Sequence, residues 1–223
     1  LVTGRVPFSS ARKWGGMTFT TKDGAPAGSW ILGAPENVLT TNYTGALREQ
    51  VEARAALGER VLIMAATDTT FNGSETALPK VQPVALVLLE DIMRADAPTT
   101  LKYFADQGVI VKVISGDNNV TVGAVAQRAG LVGWESNINA TTLRDESTEE
   151  FADAIENGTV FGRVTPHQKR AMVRALQARG HTVAMTGDGV NDVLAWKDSD
   201  CGIAMASGSE ATRRADLVIF DAA

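Results

Sequence analysis

Residues 181–192 read H-T-V-A-M-T-G-D-G-V-N-D, and the fold of the second half of the chain turns on them. Thr182 to Met185 is a short, mostly apolar run with a β-branched bias, the pattern of a buried strand. It runs into Thr186-Gly187-Asp188-Gly189, where two glycines let the backbone turn sharply and approach another group closely. Asp188 and Asp192 then stand four residues apart at the carboxyl end of a strand, with Asn191 between them. In open α/β sheets, ligands bind in that crevice. Mg²⁺ suits such an oxygen-rich group, because it takes one or two carboxylates and completes its shell with water and phosphate. An Asx-rich turn capping the following helix fits the same residues.

Outward from this stretch, helix and strand alternate from residue 90 onward. Asp96 is placed to cap a helix with Pro98 in its first turn, stopped by Gly108. Val109 to Ile114 is a continuous apolar run, expected of a parallel strand covered on both faces. It ends in Ser115-Gly116-Asp117-Asn118, and a helix to Ala129 closed by Gly130 follows. Ser147 and Glu150 have the spacing of a capping box for a helix over 148–156. After the short strand Val160-Phe161-Gly162, Thr165-Pro166-His167-Gln168 is a second box, with proline at the first helical position. Beyond the central turn come a helix over 193–197, a strand over 203–205, a short helix over 210–215 and a last strand over 217–220. This order predicts a doubly wound parallel α/β domain over 90–223.

Residues 1–89 have another rhythm. Met17 to Thr20 and Ser29 to Leu32 read as strands joined by the hairpin signal Asp23-Gly24. A helix over 43–57 ends at Gly58, and strands over 61–66 and 84–89 flank a long polar loop with Asn72-Gly73 at its tip. The pattern predicts an α+β domain, an antiparallel sheet with a helix packed on it. Ahead of the first strand, Phe8 stands close to Arg12 and Lys13. A ring beside two cations suits stacking on a base and neutralising phosphates, and equally suits a strand end with a solvated basic pair.

Composition narrows the function. The 223 residues carry a formal charge of −5 with no basic run, which argues against nucleic acid as the main partner. No apolar stretch reaches the roughly 18 residues of a membrane span, and no signal-peptide pattern opens the chain. The single cysteine, Cys201, reads as a small buried hydrophobe and fits a reducing compartment. His167 and His181 lack partners at metal-ligand spacing, and neither a Walker A loop nor a G-x-S-x-G serine occurs. The abrupt opening on Leu1-Val2-Thr3-Gly4 suggests a fragment of something longer.

Ser115-Gly116-Asp117 and Thr186-Gly187-Asp188 both follow apolar strands, so both hydroxyl-Gly-Asp turns are expected on one edge of the sheet. Lys169 lies near the start of a helix, where its charge and the helix's positive end favour a phosphate. Ser115, Lys169 and a metal on Asp188 would surround a phosphoryl group with the charge stabilisers its transfer requires.

On these motifs the chain resembles the cytoplasmic catalytic region of P-type cation-transporting ATPases over nearly its whole length. The segments that carry the resemblance are M-T-G-D-G-V-N-D (185–192), D-S-D-C-G-I-A-M (198–205), V-I-S-G-D-N (113–118) and G-R-V-T-P-H-Q-K (162–169). It implies a haloacid-dehalogenase-like phosphorylation domain over 90–223 and a partial nucleotide-binding domain over 1–89. It further implies that Lys169 and the turn of Ser115, Gly116 and Asp117 hold the phosphoryl group. Asp188 and Asp192 would bind Mg²⁺ with Asn191 in support. P-F-S-S-A-R-K (7–13) resembles the segment whose phenylalanine, here Phe8, stacks on adenine and whose lysine, here Lys13, lies near ATP. Arg60 in G-E-R-V-L matches an arginine that contacts the nucleotide phosphates, and Arg163 joins the implied nucleotide set. Gly33 opens G-A-P-E, typical of the branch that pumps Ca²⁺, Mg²⁺, H⁺ or Na⁺/K⁺. ATP and Mg²⁺ are the implied cofactors. The implied partners are the remainder of a pump (the rest of the nucleotide domain, an actuator domain and transmembrane helices), and the implied place is the cytosolic face of a membrane.

The chain also departs from the pattern. Leu32 stands where the family has the lysine of K-G-A-P-E, and Asp91-Ile92-Met93-Arg94 replaces D-P-P-R. Val193-Leu194 replaces the A-P of N-D-A-P-A-L, and Trp196 its leucine. The nucleophile motif D-K-T-G-T does not occur, and Thr67-Asp68-Thr69-Thr70 is only a superficial counterpart. The chain alone is therefore expected to be inactive. Two other readings fit the residues: a stand-alone, non-catalytic nucleotide or Mg²⁺ module, and a degenerate haloacid-dehalogenase phosphatase with an insert.

Overall fold

Alternation of buried and open positions along the first 89 residues is the signature of a sheet with one covered face. A computed structural model, which describes residues 1–9, 11–21, 27–40, 43, 45–90, 92–143, 145–188, 190–205 and 215–219, places five strands there. They are β1 (Val2–Ser9), β2 (Trp14–Phe19), β3 (Gly28–Gly33), β4 (Arg60–Thr67) and β5 (Gln82–Leu89). Each pairs antiparallel with the next, in the order β1-β2-β3-β4-β5. The helices α1 (Pro35–Val38) and α2 (Gly45–Ala56) lie between β3 and β4 in the chain. Val6, Trp14, Ile31, Ile63 and Ala65 pack with Val38, Leu39 and Phe71 in the core of this unit, Leu1–Ile92. Phe71 comes from the long loop between β4 and β5, and its N–H donates to Thr18 Oγ1 at 2.9 Å. Only glycine fits beneath its ring, since a Cβ on Gly16 would lie 2.6 Å from it.

The second unit, Met93–Ala223, alternates helix and strand. In order it holds α3 (Ala97–Asp106), β6 (Val113–Ile114), α4 (Asn119–Arg128), β7 (Asn137–Asn139), α5 (Glu149–Asn157), β8 (Val160–Gly162) and α6 (Pro166–Ala178). Next come β9 (Ala184–Gly187), α7 (Val193–Asp198), β10 (Cys201–Met205) and β11 (Leu217–Ile219). The strands form two three-stranded parallel sheets, β6-β8-β7 and β11-β10-β9. Helix α6 serves both. Its Met172 packs with Phe151, Ile155 and Phe161, while the adjacent Val173 packs with Met185, Ala195 and Trp196.

Several sequence expectations change here. One doubly wound sheet was expected, and the described residues form two separate parallel sheets. The apolar run from Val109 shrinks to the two residues of β6, and Val109 and Ile110 are 49% and 73% exposed. That run pairs only with β8, so nothing among the described strands holds its other edge. Strand β7 was not expected, because Asn137-Ile138-Asn139 is too short and polar to show a period. The α5 cap is Thr148, whose Oγ1 accepts from the Phe151 N–H at 3.2 Å, and Ser147 instead donates to Asp145 Oδ1 at 2.6 Å. The Thr165–Gln168 capping box is present. Asp96 precedes α3 without a side-chain cap and accepts instead from Arg94 Nε at 3.3 Å. Cys201 is half-buried rather than buried. The Asp23-Gly24 turn, the segment 210–214, Asp91 and Gly189 lie outside the described residues.

Helices α6 and α7 are clamped by Asp198, which accepts from Arg170 Nε at 2.6 Å and from Arg174 Nε, while its carbonyl accepts from Gln177 Nε2 at 2.8 Å. The Arg170 hydrogen bond, joined by Arg174, holds the Asp198 carboxyl below its ordinary value. A carboxyl depressed in the folded chain adds stability above its unfolded value, about 3.9, and that stability is lost as pH falls through the folded value. Exposed ion pairs are screened, so the contribution is at most about 1 kcal/mol. Asp198→Asn should lower the melting midpoint at pH 7 by about 2–4 °C. The gap should close below about pH 4. A gap that is the same at pH 7 and pH 3 would show that the carboxylate charge is not what joins the helices.

Candidate functional site

In the second unit, the loops that follow β6, β8 and β9 converge on the N-terminus of α6. The Ser115 N–H donates to Phe161 O at 2.9 Å, and the Val164 N–H returns to Ser115 O at 2.9 Å. The Arg163 N–H donates to Asp117 O at 2.7 Å, and its guanidinium donates to Gly116 O at 3.3 Å. Arg163 takes a left-handed backbone, φ +57°, and burial pushes its guanidinium below the ordinary value. It thus braces the Ser115-Gly116-Asp117 turn. Within that turn Ser115 Oγ accepts from the Asp117 N–H at 3.1 Å, which leaves the hydroxyl proton to donate elsewhere. Asn118 Oδ1 accepts from the Val120 N–H at 2.8 Å and caps α4.

Lys169 sits in the first turn of α6, behind the Thr165 cap. Its Nζ donates to Asp192 Oδ1 at 2.6 Å, and the two side chains are only 13% and 7% exposed. The loop closes onto Asp192 because residue 187 has no side chain, for a Cβ there would lie 2.4 Å from Asp192 Oδ2. Asp188, by contrast, is exposed and has no hydrogen-bond partner among the described residues. Asn191 is exposed in the 3-10 turn Val190–Asp192. The two carboxylates that the sequence pairs as metal ligands therefore differ: Asp188 is open, and Asp192 is engaged by Lys169. The chemistry of the donor set fits Mg²⁺ through the open oxygens of Asp188, since that ion takes few protein ligands. No group of three or more His, Cys, Asp or Glu side chains placed to hold a metal occurs among the described residues.

In the first unit, a register shift in β1 between Val6 and Ser9 turns Phe8 out of the core. Its ring is 59% exposed and lines a groove of about 610 Å³ on the outer face of the sheet, with Trp30, Leu32, Met64 and Val87. Lys13 makes the turn from β1 to β2 with φ +61°, and its carbonyl accepts from the Ala34 N–H at 3.0 Å. A Cβ on Gly33 would lie 2.6 Å from Lys13 O, so the two backbones touch. Gly33 is also opposite Ile63, which puts Arg60, paired with Leu89, three residues further along at the same end of the sheet. The structure therefore gathers Lys13, Gly33 and Arg60 at one end, with Phe8 over the groove. Asp68 lies past the opposite end of β4, beside a polar cavity of about 340 Å³ with Lys80 and Gln82. His167 is exposed, and His181 Nε2 meets Glu156 Oε1 at 2.9 Å on the surface.

A family model described as haloacid dehalogenase-like hydrolase matches residues 18–200. The chain belongs to that family. Among curated relatives, calcium-transporting ATPase CtpE of Mycolicibacterium smegmatis is 50% identical over 98% of this haloacid dehalogenase-like chain and 26% of its own length. The probable cation-transporting ATPase exp7 of Streptococcus pneumoniae is 42% identical over 97% of the chain and 26% of its own. Calcium-transporting ATPase 1 of Yarrowia lipolytica is 31% identical over 97% of the chain and 26% of its own. The haloacid dehalogenase-like chain thus spans about a quarter of the length of these relatives, and its homology to P-type cation-transporting ATPases agrees with its motifs. No helix among the described residues is long and apolar enough to cross a membrane.

The contrast between the two carboxylates can be measured by urea denaturation. Asp192→Ala leaves the Lys169 charge buried and unpaired, and should cost about 3–5 kcal/mol. Asp188→Ala, at an exposed position, should change stability by no more than about 0.5 kcal/mol. Equal costs for the two would contradict the arrangement.

Proposed function

We propose that the chain is the catalytic segment of an ATP-driven cation pump, in which the first unit holds the nucleotide and the second handles the phosphoryl group. The observation that carries this reading is the 2.6 Å pair of Lys169 and Asp192, which brings the N-terminus of α6 to the turn where Asp188 stands open. Calcium is the cargo that the 50%-identical relative favours by its name. The cytosolic face of a membrane is the place where ATP would meet such a segment.

In this reading the two parallel sheets are halves of one doubly wound sheet. Strands β6 and β9 each have a free edge among the described strands, and the strand with D-K-T-G-T would pair with both. The acceptor is the aspartate of that motif, which these 223 residues do not contain. Its carboxylate oxygen attacks the γ-phosphorus of ATP, ADP leaves, and water later cleaves the acyl phosphate. Asp192 positions the Lys169 ammonium toward the phosphoryl oxygens, and the Ser115 hydroxyl donates to another. Asp188, supported by the Asn191 amide, would hold Mg²⁺. That ion would supply charge for the transferring oxygens and orient them. Phe8 takes the base, Lys13 and Arg60 face the phosphates beyond Gly33, and Arg163 keeps the Ser115 turn in shape.

Labelled ATP tests the assignment. The chain alone should give no acid-stable phosphoprotein, because no matched nucleophile is present. A longer protein carrying D-K-T-G-T should form one, and Asp188→Ala should abolish it. Lys169→Ala should slow it by roughly 100-fold or more, the scale of losing one charge stabiliser. Label mapped to any residue of this chain would overturn the reading.

A further inference from the structure

We infer that the polar cavity past the far end of β4 is a second small-molecule site, and that it takes a zwitterion of the α-amino-acid kind. The first unit forms it alone, and it is independent of the nucleotide reading given above.

The sheet register builds the site. Trp30 on β3 is opposite Ala66 on β4, and Ala66 is opposite Gln82 on β5. Two residues further out on the same face, the same count sets Gly28 beside Asp68 and Asp68 beside Lys80. All of these residues line one cavity of about 340 Å³. Its floor is open, because Gly28 and Ala66 have almost no side chain. Trp30 is a wall, and its indole N–H edge lies over the floor, since a Cβ on Gly28 would be 3.4 Å from Trp30 Nε1. Asp68 and Lys80 fall just beyond the ladder, for β4 ends at Thr67 and β5 begins at Gln82.

The charges name the ligand. Asp68 and Lys80 stand across from each other, yet neither makes an ion pair or hydrogen bond among the described residues. The Trp30 indole N–H has no acceptor among them either. Thr67 Oγ1 accepts from the Thr69 N–H at 3.2 Å and keeps its own proton to donate. The cavity thus offers a carboxylate, an ammonium and neutral donors, with no net charge. A ligand with one charge loses at one of these groups what it gains at the other. A molecule with both charges meets both, its ammonium on Asp68 and its carboxylate on Lys80 and the indole N–H, all charge-assisted hydrogen bonds. Facing Cβ atoms on adjacent strands stand about 5 Å apart, a gap that two charged groups held on one carbon can bridge. The ligand's side chain then lies along the Trp30 ring, over Ala66. Small-molecule pockets run from roughly 300 to 1,000 Å³, and a volume at the low end suits a ligand of this size. Asp68 of the T-D-T-T stretch, which has no place in phosphoryl transfer, gains a binding role.

L-leucine titrated into the unmodified chain and followed by NMR tests this. The Trp30 indole N–H, assigned from Trp30→Phe, and the amides of Thr67, Asp68 and Thr69 should shift saturably. Isocaproate and isoamylamine, which keep the side chain and one charge each, should bind at least about ten-fold more weakly, the scale of one hydrogen bond to a charged group. Asp68→Asn and Lys80→Met, both at exposed positions, should each weaken L-leucine by a similar factor. Equal binding of the three compounds would reveal an apolar hollow that reads no charge, and would overturn the proposal. So would the absence of a saturable shift with L-leucine, or an L-leucine affinity unchanged in either variant.

Discussion

Lys169 Nζ and Asp192 Oδ1, 2.6 Å apart and almost wholly out of water, join the first turn of α6 to the turn that follows β9. Taking an ammonium and a carboxylate out of water costs several kcal/mol per ion, and only good geometry offsets it. The surrounding sequence supplies that geometry. The Thr165–Gln168 box and Pro166 fix where α6 begins, and hence where Lys169 points. Gly187 lets Asp192 fold back against the end of β9. The same face of α6, one turn on, ties both parallel sheets together through Met172 and Val173. A pair this costly makes a rigid platform, and a rigid platform suits groups that must meet a phosphoryl oxygen at fixed distance.

Much of this was legible in the residues, and the parts that were not share a cause. Some local chemistry reads well: the Thr165 box and the left-handed Gly130 that ends α4 need only a few neighbouring positions. Apolar runs read less well, because the run from Val109 cannot say whether a partner strand will be there to bury it. The Lys169–Asp192 pair spans 23 residues and leaves no mark in spacing. Phe8 is a further case. The strand that carries it, β1, was not expected, and the register shift before Ser9 that turns its ring outward leaves no mark in the residues.

The two units present different surfaces. The first offers a broad apolar groove with cations beyond one end, and the second offers oxygen donors and an ammonium at the ends of parallel strands. In the proposed reading, the phosphoryl site also needs the strand with D-K-T-G-T, a motif that these 223 residues do not contain. In that reading, the aspartate of that strand is the second acid that shares a cation with Asp188.

That dependence is directly measurable. Mg²⁺ can be titrated by NMR into three proteins: the chain, a version extended to include the D-K-T-G-T strand, and that version with Asp188→Ala. Loose binding in the first, tighter binding in the second and loss in the third is the result expected, because Mg²⁺ relies on two carboxylates and phosphate or water rather than a protein cage. Equal Mg²⁺ affinity in all three would mean that the Thr186–Asp192 turn is a structural cap, and the account of this site would be wrong.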